Sequence, residues 1–147
     1  MKVVVTRVSQ ASCTIDGKVH SKTGKGFLLL VGIHQDDTEK DLEKVAHKIS
    51  RLRVFEDDNG KMNLDIHQVN GEILSISQFT LNATLKGNRP GFDKSMEPVR
   101  AREYYLQFNE LLRNEDINVL EGIFQADMQI ESVNDGPVTI IIDSEVL

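Results

Sequence analysis

The chain has a single cysteine, no tryptophan and only three prolines among its 147 residues. Because Cys13 has no partner for a disulfide within the chain, the sequence indicates a protein of a reducing compartment. No apolar run approaches the about eighteen residues that a membrane-spanning helix needs. We therefore expect a cytoplasmic protein with no membrane partner, whose length fits one domain over residues 1–147.

Patterns for metal, calcium and phosphate sites are also absent. The four histidines show no paired ligand spacing, and one thiol makes no thiolate cluster. A calcium loop with Gly60 at its sixth position would place Phe55 where a carboxylate is required. The sequence GKG at residues 24–26 lacks the rest of a phosphate-binding loop. We predict no metal and no cofactor.

Positive charge is scarce overall, with a formal net charge of −6, yet it is concentrated in one segment. Residues 86–102 carry five basic and two acidic side chains, a net charge of +3. An acidic body repels a long polyanion, whereas a local basic segment suits the docking of one defined end of a nucleic acid. The same charges are as typical of a solvated loop and helix start. We expect no DNA partner.

Hydrophobic patterning predicts β structure in the first third of the chain. The segments KVVVTRV and ASCTIDGKVH are typical of strands, with a hairpin at Asp16-Gly17, and GFLLLVGI is typical of a buried strand. A further strand is predicted over residues 71–81, and two or three more between Ile117 and Ile142.

Two amphipathic helices complete this prediction. Apolar residues at helical spacing indicate one helix within residues 38–53 and another within residues 96–114, with Pro98 in its first turn. The segments do not alternate as in a doubly wound sheet. We predict an α+β fold in which antiparallel or mixed sheets form a sandwich or barrel-like core with the two helices packed outside.

Hydroxyl side chains are the candidate nucleophiles of the chain. Ser75, Ser77 and Thr80 lie in the strand predicted over residues 71–81, without a nucleophile-elbow pattern or a positioned base. From spacing alone, Ser77 and Thr80 are alternating strand residues. The sequence DGP at residues 135–137 is compatible either with an ordinary turn or with a rigid element held at a site.

Three blocks in a fixed order carry a more specific signal. They are SQFTL at residues 77–81, KGNRPGF at residues 86–92 and NDGPVT at residues 134–139. Together with RVSQAS, LRVFEDDNGKMN and GIFQADMQI, they cover nearly the whole chain, which resembles the bacterial D-aminoacyl-tRNA deacylases. The chain departs from that pattern at Gly91, where serine is frequent, and at Gln125, where glycine is common.

The resemblance implies hydrolysis of the ester that joins a D-amino acid to the terminal adenosine of tRNA. It also implies a homodimer in which a cis Gly136-Pro137 bond, supported by Arg7 and Asn134, enters the pocket of the partner subunit. This backbone filter would reject L-aminoacyl esters by steric clash, whereas glycyl-tRNA would be hydrolysed. The catalytic residues facing the filter would be Ser77, Gln78, Phe79 and Thr80.

The resemblance further implies binding residues around that pocket. Lys86 and Arg89 would contact phosphates near the end of the tRNA, which gives attraction without base reading. Phe92 and Met128 would line the adenosine or aminoacyl pocket, although core packing explains both equally well. For Arg7, the competing interpretation is a strand residue paired with a surface acid.

The implied mechanism needs no strong side-chain base, because an aminoacyl ester is already activated. The adenosine 2′-OH would assist, and main-chain N–H groups near Phe79 and Thr80 would hold the oxyanion. An alternative is Thr80 as a covalent nucleophile. Two other classes remain as hypotheses: a nucleic-acid-binding module that uses residues 86–102 without catalysis, and a small-ester hydrolase that uses Ser77 or Thr80.

Overall fold

One mixed sheet and two helices make up most of the fold. The computed structural model of the protein describes residues 1–147. The strands are β1 (Lys2–Ile15), β2 (Lys18–Thr23), β3 (Gly26–Gly32), β4 (Phe55–Glu56), β5 (Met62–Leu64), β6 (Glu72–Ser77), β7 (Asn118–Glu121) and β8 (Gln129–Asp143). The helices are α1 (Glu39–Arg51) and α2 (Pro98–Arg113), and short 3₁₀ helices span Phe79–Asn82 and Ser144–Val146.

Strand β1 organises the sheet. Along one edge it pairs antiparallel with β8, and along the other it pairs first with β3 and then with β2. The predicted segment KVVVTRV and the first half of ASCTIDGKVH therefore lie in one strand of 14 residues, whereas the KVH at the end of the second segment begins β2. The hairpin predicted at Asp16-Gly17 is confirmed, because both residues have positive φ, 51° and 77°, as a tight turn between β1 and β2 requires.

The sheet is mixed and nearly closed. β3, β6 and β7 are parallel neighbours, and β2 approaches β7 at the far side, where the Ser21 hydroxyl donates to the Glu121 carbonyl. Phe27, Leu29 and Val31 of β3 face the larger core, and Leu28 faces the smaller one. This two-sided burial explains why β3 is a continuous apolar run. The predicted α+β, barrel-like fold is confirmed.

Both helices cover the outside of this sheet, as predicted. Leu42, Val45 and Ile49 of α1 are fully buried in the larger core. At the start of α2, Pro98 occupies the first turn, and the Glu97 carboxylate accepts hydrogen bonds from two main-chain N–H groups of that turn. Neither helix has the length and apolar character that crossing a bilayer requires.

The strand predicted over residues 71–81 is shorter in the structure. β6 ends at Ser77, whose ladder partner Val31 lies one residue before the end of β3. The chain then turns into the 3₁₀ helix Phe79–Asn82, so the interpretation of Thr80 as a strand residue was wrong. The region after Ile117 contains two strands, β7 and β8.

Candidate active site

A cavity of about 650 Å³ opens beyond the carboxyl ends of the parallel strands β3 and β6. Its walls come from residues 76–79, the segment 92–98 that leads into α2, and the loop 124–128. Of the 18 lining residues 11 are hydrophobic, so the cavity suits a flat apolar group such as a base or an aromatic side chain.

Residues 77–80 form a turn that we call the catalytic turn, after the role that the family resemblance implies, and residues 77–79 of this turn line the cavity. The side-chain amide of Gln78 donates to the Thr80 hydroxyl oxygen at 2.6 Å. Phe79 and Thr80 are the first two residues of a 3₁₀ helix, so their N–H groups have no acceptor within that helix. Two neighbouring free N–H groups beside an apolar cavity can bind an oxygen that gains negative charge during a reaction.

Two predicted binding residues also line the cavity. The Phe92 ring stacks edge-on against the Phe79 ring with 5.0 Å between centroids, and 55% of Phe79 is exposed. Met128 lies opposite, where Gly122 makes room for it, since a Cβ on Gly122 would stand 2.5 Å from the Met128 sulfur. The structure thus brings Phe92 and Met128 together with residues 77–79.

The Gly136-Pro137 segment is a bulge within β8 and not a turn between strands. The pairing of β8 with β1 is interrupted opposite Arg7, which alone faces the four residues 135–138. Within this bulge the Gly136–Pro137 peptide bond is cis, and Gly136 has a φ of 118°. A Cβ on Gly136 would stand 2.8 Å from an Arg7 guanidinium nitrogen, so glycine suits both the space and the φ.

Arg7 is a buried residue of β1 whose side chain contacts the bulge. Only 5% of its side chain is exposed. Its Nε donates to the Asp135 carbonyl at 3.1 Å, and Nη1 donates to the Val54 carbonyl at 2.6 Å. It also faces the carboxylates of Asp135 at 3.4 Å and Glu56 at 3.9 Å. The main-chain bonds are the closer contacts, and they tie the base of the bulge to the body of the protein.

Other predicted residues lie outside the cavity of their own chain. Gly136, Pro137, Arg7 and Asn134 do not line it. Asn134 stands at the base of the bulge, where its side-chain oxygen accepts a hydrogen bond from the Ser132 hydroxyl at 2.7 Å. One chain therefore contains a cavity and a bulge that do not meet.

Lys86 and Arg89 also lie outside the cavity, on an exposed hairpin. The hairpin is closed by a reciprocal pair of main-chain hydrogen bonds between Thr84 and Gly91, of 2.8 and 2.9 Å. It joins the catalytic turn to the segment 92–98, so both of its ends continue into walls of the cavity.

The structure adds one residue at the cavity, Gln125, and one contact behind it, made by the core residue Tyr105, that the sequence did not predict. Gln125 lines the cavity with a φ of 66°, and its departure from the family pattern was the one available signal. Tyr105 donates its hydroxyl to the Ser75 carbonyl of β6 at 2.7 Å, and burial raises the pKa of Tyr105 to about 12. Nothing in the sequence distinguished this tyrosine from ordinary core packing.

Comparison with known proteins decides the family. A family model described as D-Tyr-tRNA(Tyr) deacylase matches residues 4–143. The chain belongs to the D-Tyr-tRNA(Tyr) deacylase family. A D-aminoacyl-tRNA deacylase of Staphylococcus carnosus (strain TM300) is 55% identical over 146 residues, which cover 99% of this chain and 97% of that protein. The family resemblance inferred from the three blocks is confirmed, and so is the enzyme class, an ester hydrolase of the deacylase type.

Two solved structures share the fold of this family member. One, described as a c-Myc DNA Unwinding Element Binding Protein, superimposes with a TM-score of 0.92 at 44% identity and covers 97% of this chain and 98% of that one. The other, described as a probable eukaryotic D-amino acid tRNA deacylase, has a TM-score of 0.83 at 15% identity and covers 96% and 97%. The second likeness concerns the fold alone.

Proposed function

We propose that this deacylase hydrolyses D-aminoacyl-tRNA and glycyl-tRNA, and that it rejects L-aminoacyl-tRNA with the bulge of a partner subunit. The observation behind this proposal is that the cavity and the Gly136-Pro137 bulge lie apart from each other within one chain. The cavity holds residues 77–79, whereas the Gly136-Pro137 bulge does not line it. A second copy of the chain would supply the missing wall.

The exposed surface of β8 supports a homodimer. One edge of this 15-residue strand pairs with β1 and the other has no partner strand. Val133 and Ile141 on β8 are 49% and 71% exposed. A long, exposed edge with apolar side chains is a surface that proteins normally cover. In a dimer with two-fold symmetry, the β8 surface of each subunit would lie against the cavity of the other subunit.

The proposed filter works by exclusion. Main-chain atoms at Gly136 and Pro137 would stand beside the α-carbon of the bound amino acid and occupy the space of an L side chain. Because Arg7 ties the bulge to the sheet, the backbone has little freedom to move aside. Each tenfold preference for the D ester over the L ester requires a free-energy difference of about 1.4 kcal/mol. A steric clash with a backbone that is fixed in place readily supplies this difference. Glycine has no side chain and would escape the filter.

We assign the chemistry to the catalytic turn and to the substrate itself. Water would add to the ester carbon, and the free N–H groups of Phe79 and Thr80 would hold the oxyanion. The 2′-OH of the terminal adenosine would assist this step, and the 3′-oxygen would leave with a proton. The absence of an acid–base pair among the lining residues 77–79 fits an activated ester that needs mainly orientation.

Thr80 as a covalent nucleophile is the alternative. Its hydroxyl oxygen accepts the Gln78 amide, and no base contacts it. With the proposed mechanism, tRNA ending in 2′-deoxyadenosine is not turned over, while Thr80→Ala retains activity. Complete loss of activity in Thr80→Ala together with a trapped acyl-enzyme would establish the covalent route instead.

The binding residues have separate proposed roles. Phe92 and Met128 would hold the terminal adenosine in the apolar cavity, and Lys86 and Arg89 would meet phosphates that precede it. Residues 1–147 would act as one domain. We place the enzyme in the cytoplasm because its proposed substrate takes part in translation.

The deciding experiment compares three esters at equal enzyme concentration: D-tyrosyl-tRNA, L-tyrosyl-tRNA and glycyl-tRNA. We expect the D and glycyl esters to be hydrolysed and the L ester to persist. Equal loss of the D and L esters would keep a deacylase and eliminate the filter. Intact glycyl-tRNA at high enzyme concentration would remove glycine from the substrate range.

A nucleic-acid-binding module is the second candidate function. One structurally similar protein is described as binding a DNA unwinding element, and the basic hairpin with Lys86 and Arg89 is exposed. Stoichiometric binding of nucleic acid without turnover of any ester would favour this function. Turnover of simple esters without RNA would favour a small-ester hydrolase.

A further inference from the structure

Ser95 makes one direct contact with the catalytic turn. Its hydroxyl donates to the Phe79 main-chain carbonyl at 3.1 Å, and Ser95 also lines the cavity. This contact joins two segments that are 16 residues apart in the chain. It is a hydrogen bond between a side chain and the backbone of the turn to which we assign oxyanion binding.

Main-chain hydrogen bonds hold the backbone on either side of Ser95. The Gln35 N–H donates to the Lys94 carbonyl at 2.8 Å, and the Met96 N–H donates to the Ile33 carbonyl at 3.1 Å. These two bonds flank Ser95 on either side and connect it to the loop after β3. The hydroxyl therefore reaches the catalytic turn from a fixed base.

The turn itself lies at the surface. Phe79 and Thr80 are exposed, and the Gln78–Thr80 side-chain contact is exposed as well. In a planar trans peptide unit the C=O and N–H groups point in opposite directions. Because Phe79 carries the carbonyl and Thr80 the N–H of the same unit, a hydrogen bond that holds the Phe79 carbonyl also sets the direction of the Thr80 N–H.

We propose that Ser95 is a positioning residue that aims the Thr80 N–H at the developing oxyanion by holding the Phe79 carbonyl. This inference rests on the oxyanion role proposed above for the N–H groups of Phe79 and Thr80. Ser95 touches neither the ester nor the attacking water. Its effect belongs to the transition state, where the oxyanion carries its charge.

The test compares Ser95→Ala with Ser95→Thr, which keeps the hydroxyl. Ser50→Ala is the matched control, because the Ser50 hydroxyl also donates to a main-chain carbonyl, that of His47 at 2.8 Å, within α1. For each protein we would measure the single-turnover rate on D-tyrosyl-tRNA at saturating enzyme. The dissociation constant of a non-hydrolysable D-tyrosyl-amide analogue of the terminal adenosine reports ground-state binding.

Ser95→Ala is expected to lose about tenfold in maximal rate, less than the about 100-fold or more that follows removal of an oxyanion donor itself. Binding of the analogue should be unchanged, Ser95→Thr should recover most of the rate, and Ser50→Ala should match the wild type. An unchanged rate in Ser95→Ala would overturn the inference, as would a loss of analogue binding that parallels the loss of rate.

Failure of the proposed function gives a different result. If the wild type hydrolyses D- and L-tyrosyl-tRNA alike, the filter is absent, yet the Ala and Thr variants at position 95 still separate a positioning role from none. If Ser95→Ala unfolds, Ser95→Thr and Ser95→Cys are compared by rate alone; equal rates in these two folded variants would refute the inference.

Discussion

Gln125 is a residue whose side chain and backbone conformation do not match. It has a φ of 66°, a conformation that costs about 1–2 kcal/mol for a residue with a Cβ and little for glycine. Gln125 also lines the cavity, and backbone strain of this kind is often found at functional sites. Glycine, which the family resemblance implies at this position, would not carry the strain.

Gln125→Gly is therefore expected to stabilise the protein by up to about 1 kcal/mol, the strain relieved less the entropy of the more flexible unfolded chain. Chemical denaturation measures the change. The control is Gln107→Gly within α2, where glycine should cost up to about 1 kcal/mol. Destabilisation by both substitutions would show that position 125 tolerates glutamine without strain.

Tyr105 gives the protein an alkaline pH dependence. Burial raises its pKa from 10.0 to about 12, so the unfolded chain releases this proton before the folded chain does. Stability due to the neutral phenol is fully present below pH 10 and is lost as pH rises towards about 12. Two pKa units correspond to about 2–3 kcal/mol.

Tyr105→Phe should remove this decline, although it loses the hydrogen bond to Ser75 at neutral pH. The free energy of unfolding, measured by chemical denaturation between pH 9 and 12, should decrease less steeply with pH for Tyr105→Phe than for the wild type. Tyr104→Phe leaves Tyr105 in place and should keep the wild-type slope. Parallel slopes in all three proteins would contradict a role of Tyr105.

At the scale of elements, the site depends on where strands stop. β6 ends at Ser77, and the exposed residues Phe79 and Thr80 follow as the first two residues of a 3₁₀ helix, whose N–H groups have no acceptor within that helix. The hairpin closed by Thr84 and Gly91 then leads into the other wall of the cavity. The position of its basic residues is therefore set by this short hairpin and is independent of the net charge of the protein.

Lys86→Ala should weaken tRNA binding and make its salt dependence shallower. Each phosphate contact to a single strand contributes about 0.7 to the slope of log K against log salt. Binding titrations at several salt concentrations measure that slope. Lys61→Ala, on the exposed turn between β4 and β5, should leave it unchanged; an unchanged slope in Lys86→Ala would exclude the contact.

At the scale of the whole molecule, the cavity and the bulge are distributed over two surfaces of one chain. We expect a mass of twice 16.5 kDa in solution. Mixed dimers test whether sites are shared. Gly136→Ala introduces a Cβ 2.8 Å from Arg7 at a φ of 118° and should deform the bulge, whereas Ala126→Trp should fill the cavity.

Alone, Ala126→Trp should hydrolyse neither tyrosyl ester, whereas Gly136→Ala, with a deformed filter, should hydrolyse the D and L esters alike. After the two variants are mixed in equal amounts, unfolded and refolded, hydrolysis of L-tyrosyl-tRNA per Gly136→Ala chain should fall by about half, because half of those cavities then face an intact bulge of a partner chain. The control is each variant refolded alone. Unchanged hydrolysis of the L ester in the mixture, with dimers formed, would show that each site lies within a single chain.

The sequence by itself determined the family, the two helices and the buried strand β3. These features depend on local periodicity, on capping residues and on three short blocks, all of which can be read along the chain. The family resemblance, carried by the block SQFTL, also pointed to Ser77, Gln78 and Phe79, which line the cavity. The chemistry that we propose for them is largely main-chain chemistry, which side-chain motifs do not reveal.

Only the tertiary structure decided how these parts are arranged. The end of β6, the bulge opposite Arg7, and the contacts of Ser95 and Tyr105 depend on partners that are far apart in the chain. Sequence patterns carry little information about such pairs, because a hydrogen bond between distant residues needs no local signature. The structure also separates the cavity from the Gly136-Pro137 bulge within one chain, since each is held by a different end of the sheet.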